Sequence, residues 1–238
     1  MNRVGLSVGL AAAILCAAWA PAHAQQQQYG QPGTYVTWGT NTTGQNVIDV
    51  TYFVGSPSLT GNTANLITQA AAAWNNTGAF VNLVQVNSSV GADVVFQIGA
   101  VPPGTLFVSP SVPTTGLQPG LLNGSPWVMI NGQVVITMNS AIMPLVWDGT
   151  GVPPALYWDF NTIALMMVGY ALGLGSAFPG DPNSVMNPTI PFGPGFTAPT
   201  SADAAALLAV YGSPEPATFA LFGVGLAALG FSRKFRRG

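Results

Sequence analysis

Residues 34–212 predict a single α+β domain. Three observations carry that prediction: apolar periods that switch between strand and helix, capping residues where the helices should begin, and enough non-polar side chain to fill a core. The 238-residue chain is 49% hydrophobic and only 5% charged. Gly and Pro are frequent, but Val, Ile, Leu, Phe and Trp recur throughout, which argues for packing over disorder.

Taken in order, residues 47–54 read as a strand. Residues 63–75 read as a helix, because Leu66, Ile67, Ala70 and Trp74 fall on one face. Residues 81–86 and 92–98 read as two further strands. The run 101–126, rich in Pro, Gly, Thr and Ser, reads as a long surface loop. Residues 127–139 predict a hairpin, since Asn131-Gly132 is a strong two-residue turn signal flanked by Val-Met-Ile and Val-Val-Ile. Asp159 reads as the N-cap of a second helix, and Asp148, in Trp-Asp-Gly-Thr-Gly, as a turn residue. Thr200-Ser201-Ala202-Asp203 opens a third, capped helix that closes on Val210-Tyr211-Gly212.

Charge distribution excludes several functions. All five basic residues lie at the ends, as Arg3, Arg233, Lys234, Arg236 and Arg237. The seven acids are Asp49, Asp93, Asp148, Asp159, Asp181, Asp203 and Glu215. Without cations in the body, salt bridges cannot hold it together and nucleic acid is excluded as a partner. The aspartates must be solvated, cap helices, or meet an external cation such as calcium. The single histidine, His23, and the single cysteine, Cys16, both fall within the first 24 residues. A Ser or Thr nucleophile in the body would therefore lack a His or Lys base. A paired-carboxylate mechanism using Asp148 and Asp159 is formally available, but nothing in their spacing supports it.

Both ends read as addresses. Residues 1–24 have a basic start at Arg3, an apolar run and an Ala22-His23-Ala24 cleavage site, the pattern of a secretory signal peptide. Residues 25–33 form a Gln-rich leader. In residues 213–238, Pro214-Glu215-Pro216 precedes an apolar stretch, 216–232, expected to be a transmembrane helix. A basic tail follows at 233–238, with Arg233, Lys234, Arg236 and Arg237. Residues 217–232 of the apolar stretch, as a helix, reach roughly 24 Å, slightly short of a bilayer core of about 30 Å, so the stretch spans with thinning or snorkelling. The basic cluster stays cytoplasmic and leaves the domain outside the inner membrane.

This three-part tail resembles the PEP-CTERM sorting signal of Gram-negative bacteria. The resemblance implies an exosortase-type sorting protease as partner and a transient stay in the inner membrane, with the domain periplasmic. Cleavage near Pro-Glu-Pro and delivery to the cell surface or an exopolysaccharide matrix would follow.

A second resemblance covers the body. Residues 159–176 look like the zinc helix of a matrixin-type (metzincin) metalloprotease, whose pattern is H-E-x-x-H-x-x-G-x-x-H. Gly169, Ala171, Leu172, Gly173, Leu174 and Gly175 stand as in that family. The three histidine positions hold Met166, Tyr170 and Ser176, and the general-base position holds Met167. Other phrases resemble the family in the same order: Ala-Ala-Ala-Trp-Asn at 71–75, Gly91-Ala92-Asp93-Val94, and Ser184-Val185-Met186-Asn187-Pro188 for the Met-turn. The resemblance implies a twisted mixed β-sheet with three main helices and, in an intact member, a zinc metalloendopeptidase. Here a thioether, a phenol and a hydroxyl do not make a zinc site, so no catalytic residue and no cofactor are expected. The 101–147 loop also lacks the His, Asp and Glu ligands for the family's structural zinc and calcium. No prodomain with a cysteine switch is expected before the body.

The expectation is thus an exported surface or matrix protein with a catalytically inactive matrixin-like domain, binding a peptide or exopolysaccharide or serving structurally. Two alternatives stand beside it: a secreted zinc metalloendopeptidase with atypical ligands, and a generic β-rich adhesin. Zinc belongs to the chain only under the first alternative. If a cleft persists, Met166, Tyr170, Ser176 and Met186 should line it.

Overall fold

A computed structural model describes residues 35–39, 47–55, 62–102, 105–108, 127–149, 152–176, 182–190 and 192–212. The segments expected to be a signal peptide (1–24), a leader (25–33) and a sorting tail (213–238) lie outside the described residues. Strands are β1 (Tyr35–Thr37), β2 (Ile48–Val54), β3 (Val81–Gln85), β4 (Val94–Gly99) and β5 (Phe107–Val108). They continue as β6 (Trp127–Met129), β7 (Val134–Asn139), β8 (Val146–Trp147) and β9 (Trp158–Asp159). The helices are α1 (Asn62–Asn75), α2 (Phe160–Ala171) and α3 (Ser201–Tyr211), with a 3-10 segment at Ser140–Leu145.

The architecture is mixed α/β. Its main sheet has five strands in the order β3-β2-β4-β7-β5. β3, β2, β4 and β7 run parallel, with Ile48 opposite Val81, Tyr52 opposite Val94 and Val94 opposite Val134. β5 alone is antiparallel, with Phe107 opposite Met138, and among the described residues it lies at an edge. Parallel neighbours need a long crossover, and α1 supplies it between β2 and β3. The helix turns Leu66, Ile67, Ala70, Ala71 and Trp74 into the core.

The hairpin expected at 127–139 does not form. β6 pairs in parallel with β1, whereas β7 pairs with β4 and β5. The Asn131-Gly132 turn therefore carries the chain from one sheet to another instead of folding it back. The reason lies in the backbone partners: Ile130 N donates to Thr37 O at 2.8 Å, and Val134 N donates to Asp93 O at 2.7 Å. Long-range ladders took the donors that a local turn would have used. The expected loop at 101–126 is likewise interrupted, because β5 lies within it.

α2 is the central element. From Thr162 to Ala171 every residue is buried, and Phe160 is too. A helix apolar on all sides belongs in the interior, and α2 packs against α1 and β7. Asp159 caps it, Oδ1 accepting from Asn161 N at 3.2 Å and Oδ2 from Thr162 N at 3.3 Å. The helix stops at Gly173, whose φ of 85° is left-handed. Gly173 N donates to Tyr170 O and Leu174 N to Gly169 O, both at 3.0 Å, which closes the end as a Schellman motif.

Candidate functional site

The site suggested by the sequence falls on the last turns of α2 and the segment after it. Met166 is 2% exposed and Met167 0%. Both are core packing, and neither thioether faces solvent. Tyr170 is buried, and its hydroxyl lies 2.5 Å from the Ser176 hydroxyl. The Phe107 ring, from β5, meets Tyr170 edge-on at 5.2 Å. Burial pushes the Tyr170 phenol above its usual pKa, and the Ser176 hydrogen bond only partly offsets this. The phenol is therefore held protonated, which is the opposite of what a metal ligand requires.

Met186 lies beneath the helix. The turn containing it closes with Asn187 N donating to Ser184 O at 3.2 Å, and its side chain is wholly buried. A Cβ placed on Gly169 would stand 2.4 Å from the Met186 sulfur and 3.0 Å from the Trp74 ring. The glycine thus lets the turn and α1 close directly onto the helix backbone. Trp74 Nε1 donates to Leu165 O at 2.9 Å, tying α1 to the same helix.

The carbonyls at the end of α2 have identifiable partners. Trp38 Nε1 donates to Ala171 O at 2.7 Å, and the Tyr211 hydroxyl donates to Leu172 O at 2.9 Å. These contacts satisfy acceptors that a helix terminus would otherwise leave buried and unpaired.

Asp203 holds the other side, and its reach was not legible in the sequence. It is fully buried. One carboxylate oxygen accepts from Ser184 Oγ at 2.6 Å, and the other from Val185 N at 3.0 Å, Thr200 N at 2.9 Å and Thr200 Oγ1 at 2.8 Å. The Thr-x-x-Asp pattern announces the capping box, but nothing local announces the bond to residues 184–185, about twenty positions upstream.

Tyr170 and Ser176 meet at the end of α2, and Met186 packs against Gly169 of the same helix. Met166 and Met186 are enclosed, and only Ser176 is exposed. A cavity of about 330 Å³ lies nearby, between the N-terminus of α2 and the 184–190 segment. Thr162, Ser184, Asn187, Ile190 and Phe196 are among the residues lining it. A shallower depression of about 790 Å³ lies beside Asp49 and Asp93, where Trp38, Met129 and Ile130 face the main sheet. None of the four predicted residues lines either one. Asp93 Oδ2 accepts from Thr51 N and Thr51 Oγ1, both at 2.7 Å, and Asn82 donates to Asp49 at 2.9 Å.

The donor set at α2 does not fit a catalytic zinc. Positions 166, 167, 170 and 176 offer two buried thioethers, a protonated phenol already bonded to a serine, and no imidazole or carboxylate. Among the described residues no three His, Cys, Asp or Glu gather into a possible metal cluster. Among them, too, no helix is long and apolar enough to cross a membrane, and the predicted spanning segment, 216–232, lies outside them.

No curated protein matches the chain. A family model does match its tail, over Pro214, Glu215, Pro216 and the basic cluster Arg233, Lys234, Arg236 and Arg237. Residues 214–237 carry the PEP-CTERM protein-sorting motif, which implies export and membrane-associated processing by an exosortase.

Proposed function

We propose that residues 34–212 are a non-catalytic, matrixin-like domain that the sorting motif delivers to the cell surface or an extracellular matrix, where it serves a binding or structural role. The observation that carries this reading is the packing of Met166 and Met167 into the core at the positions of the first zinc ligand and the general base. The reading draws on the left-handed Gly173 after α2 and on Met186 seated against Gly169. The outer edge of β5, which pairs on its other side with β7, suits an extended peptide added as a further strand.

The test restores the motif. Met166→His, Met167→Glu, Tyr170→His and Ser176→His together should create a site that takes up one zinc per chain, while the parent takes up none and cleaves neither casein nor peptides with zinc, cobalt or calcium added. A folded quadruple variant without zinc would refute the metzincin geometry. Peptide cleavage by the parent would refute the non-catalytic assignment.

A further inference from the structure

The end of the folded domain and the beginning of the sorting motif are separated by one residue, Ser213. The last described residues are locked. Tyr211 is 1% exposed, its hydroxyl donating to Leu172 O at 2.9 Å and accepting from Trp38 N at 3.3 Å. Gly212 N donates to Leu208 O at 2.8 Å, and Gly212 O accepts from Phe80 N at 3.2 Å. Gly212 has a left-handed φ of 75°, and a Cβ placed there would stand 3.6 Å from the Phe80 ring. The chain leaves the domain from a clasp made by α3, the segment before β3, and Trp38.

A fully extended chain covers about 3.5 Å per residue, so Pro214 lies within about 7 Å of Gly212 and Pro216 within about 14 Å. One helix in the wall of an enzyme cleft is already about 10–12 Å thick. Proteolytic clefts also take their substrates extended. The four residues before Pro214 are Val210, Tyr211, Gly212 and Ser213, and the first two are the buried end of α3.

We propose that the folded domain itself obstructs the sorting protease through the Tyr211–Gly212 clasp, so that processing at residues 214–237 competes with completion of the fold. The proposal rests on the sorting assignment of that tail. Release of a buried tyrosine with its hydrogen bonds is disfavoured on the order of a hundredfold to a thousandfold. A chain still folding after export is therefore the better substrate, and a chain already folded is cleaved slowly.

Pulse–chase of the full-length precursor, in cells containing the sorting protease, tests this by following conversion to the shorter form. Ten Gly/Ser residues inserted between Gly212 and Ser213 should accelerate the slow phase at least about tenfold, without moving the melting temperature of the domain. Tyr211→Phe, which keeps the ring and loses both hydroxyl bonds, should accelerate it severalfold. If the insertion leaves the rate unchanged, the clasp is no obstacle; if it slows processing, the protease docks on the domain. Either result overturns the proposal. A variant with Pro214, Glu215 and Pro216 all changed to Ala separates the two claims. If it is processed like the parent, the sorting assignment has failed; if it is blocked while the insertion has no effect, only the clasp has.

Discussion

A methyl group is the smallest side chain that can test the junction of α2 with its neighbours. At Gly169 it would meet the Met186 sulfur at 2.4 Å and the Trp74 ring at 3.0 Å, both fully buried. Alanine favours helix by up to about 1 kcal/mol over glycine, whereas overpacking a core costs about 1–3 kcal/mol. Gly169→Ala should therefore destabilise the domain by about 1–2 kcal/mol, read as a lower urea midpoint at unchanged slope. This glycine stood in the sequence as part of a motif, but the two side chains that require it come from elements far away in the chain. The same limit applies to Asp203, whose capping role was local and legible. Its bonds to Ser184 and Val185 depend on a fold that brings α3 beside the 184–187 turn.

Elements differ in how much of themselves the sequence discloses. The helices were legible because each has a local signature: Asp159 before α2, the Thr200–Asp203 box before α3, and one-sided apolar spacing in α1. The strands of the parallel sheet were legible from β-branched runs at 48–54, 81–85 and 94–99, but their partners were not. Asn131-Gly132 has the chemistry of a hairpin turn, yet β6 and β7 belong to different sheets. β5 was hidden in a Pro- and Gly-rich run, with Leu106-Phe107-Val108 as its only apolar signal. The end of α2 gives a sharp test at this scale. Gly173 sits at φ 85°, where a Cβ is strained, so Gly173→Ala should cost about 1–2 kcal/mol in an unfolding titration. Equal stability would mean that the helix does not end in this left-handed turn.

Between residues 25 and 232 the chain carries charge of one sign only, and little of it. With no Lys, Arg, His or Cys between residues 25 and 232, its body has no group that ordinarily titrates between carboxylates near pH 4 and tyrosines near pH 10. Unfolding free energy should be flat from about pH 6 to about pH 9. Above that, Tyr211 decides the sign: burial pushes its phenol up to about 12 from 10.0, so the unfolded chain loses this proton first. Stability present below pH 10 should then fall by about 2 kcal/mol as pH rises to 12. Denaturant midpoints measured across that range provide the check, and a midpoint rising above pH 10 would contradict the burial of this ring. Absence of imidazole also bears on the functional reading, since it leaves Met166, Met167 and Tyr170 as packing within α2 and Ser176 as a hydrogen-bond partner of Tyr170. The most direct measurement is the zinc content of the purified, dialysed protein. The account predicts well under one-tenth of an equivalent per chain, and one tightly held zinc per chain beside Tyr170 would contradict it.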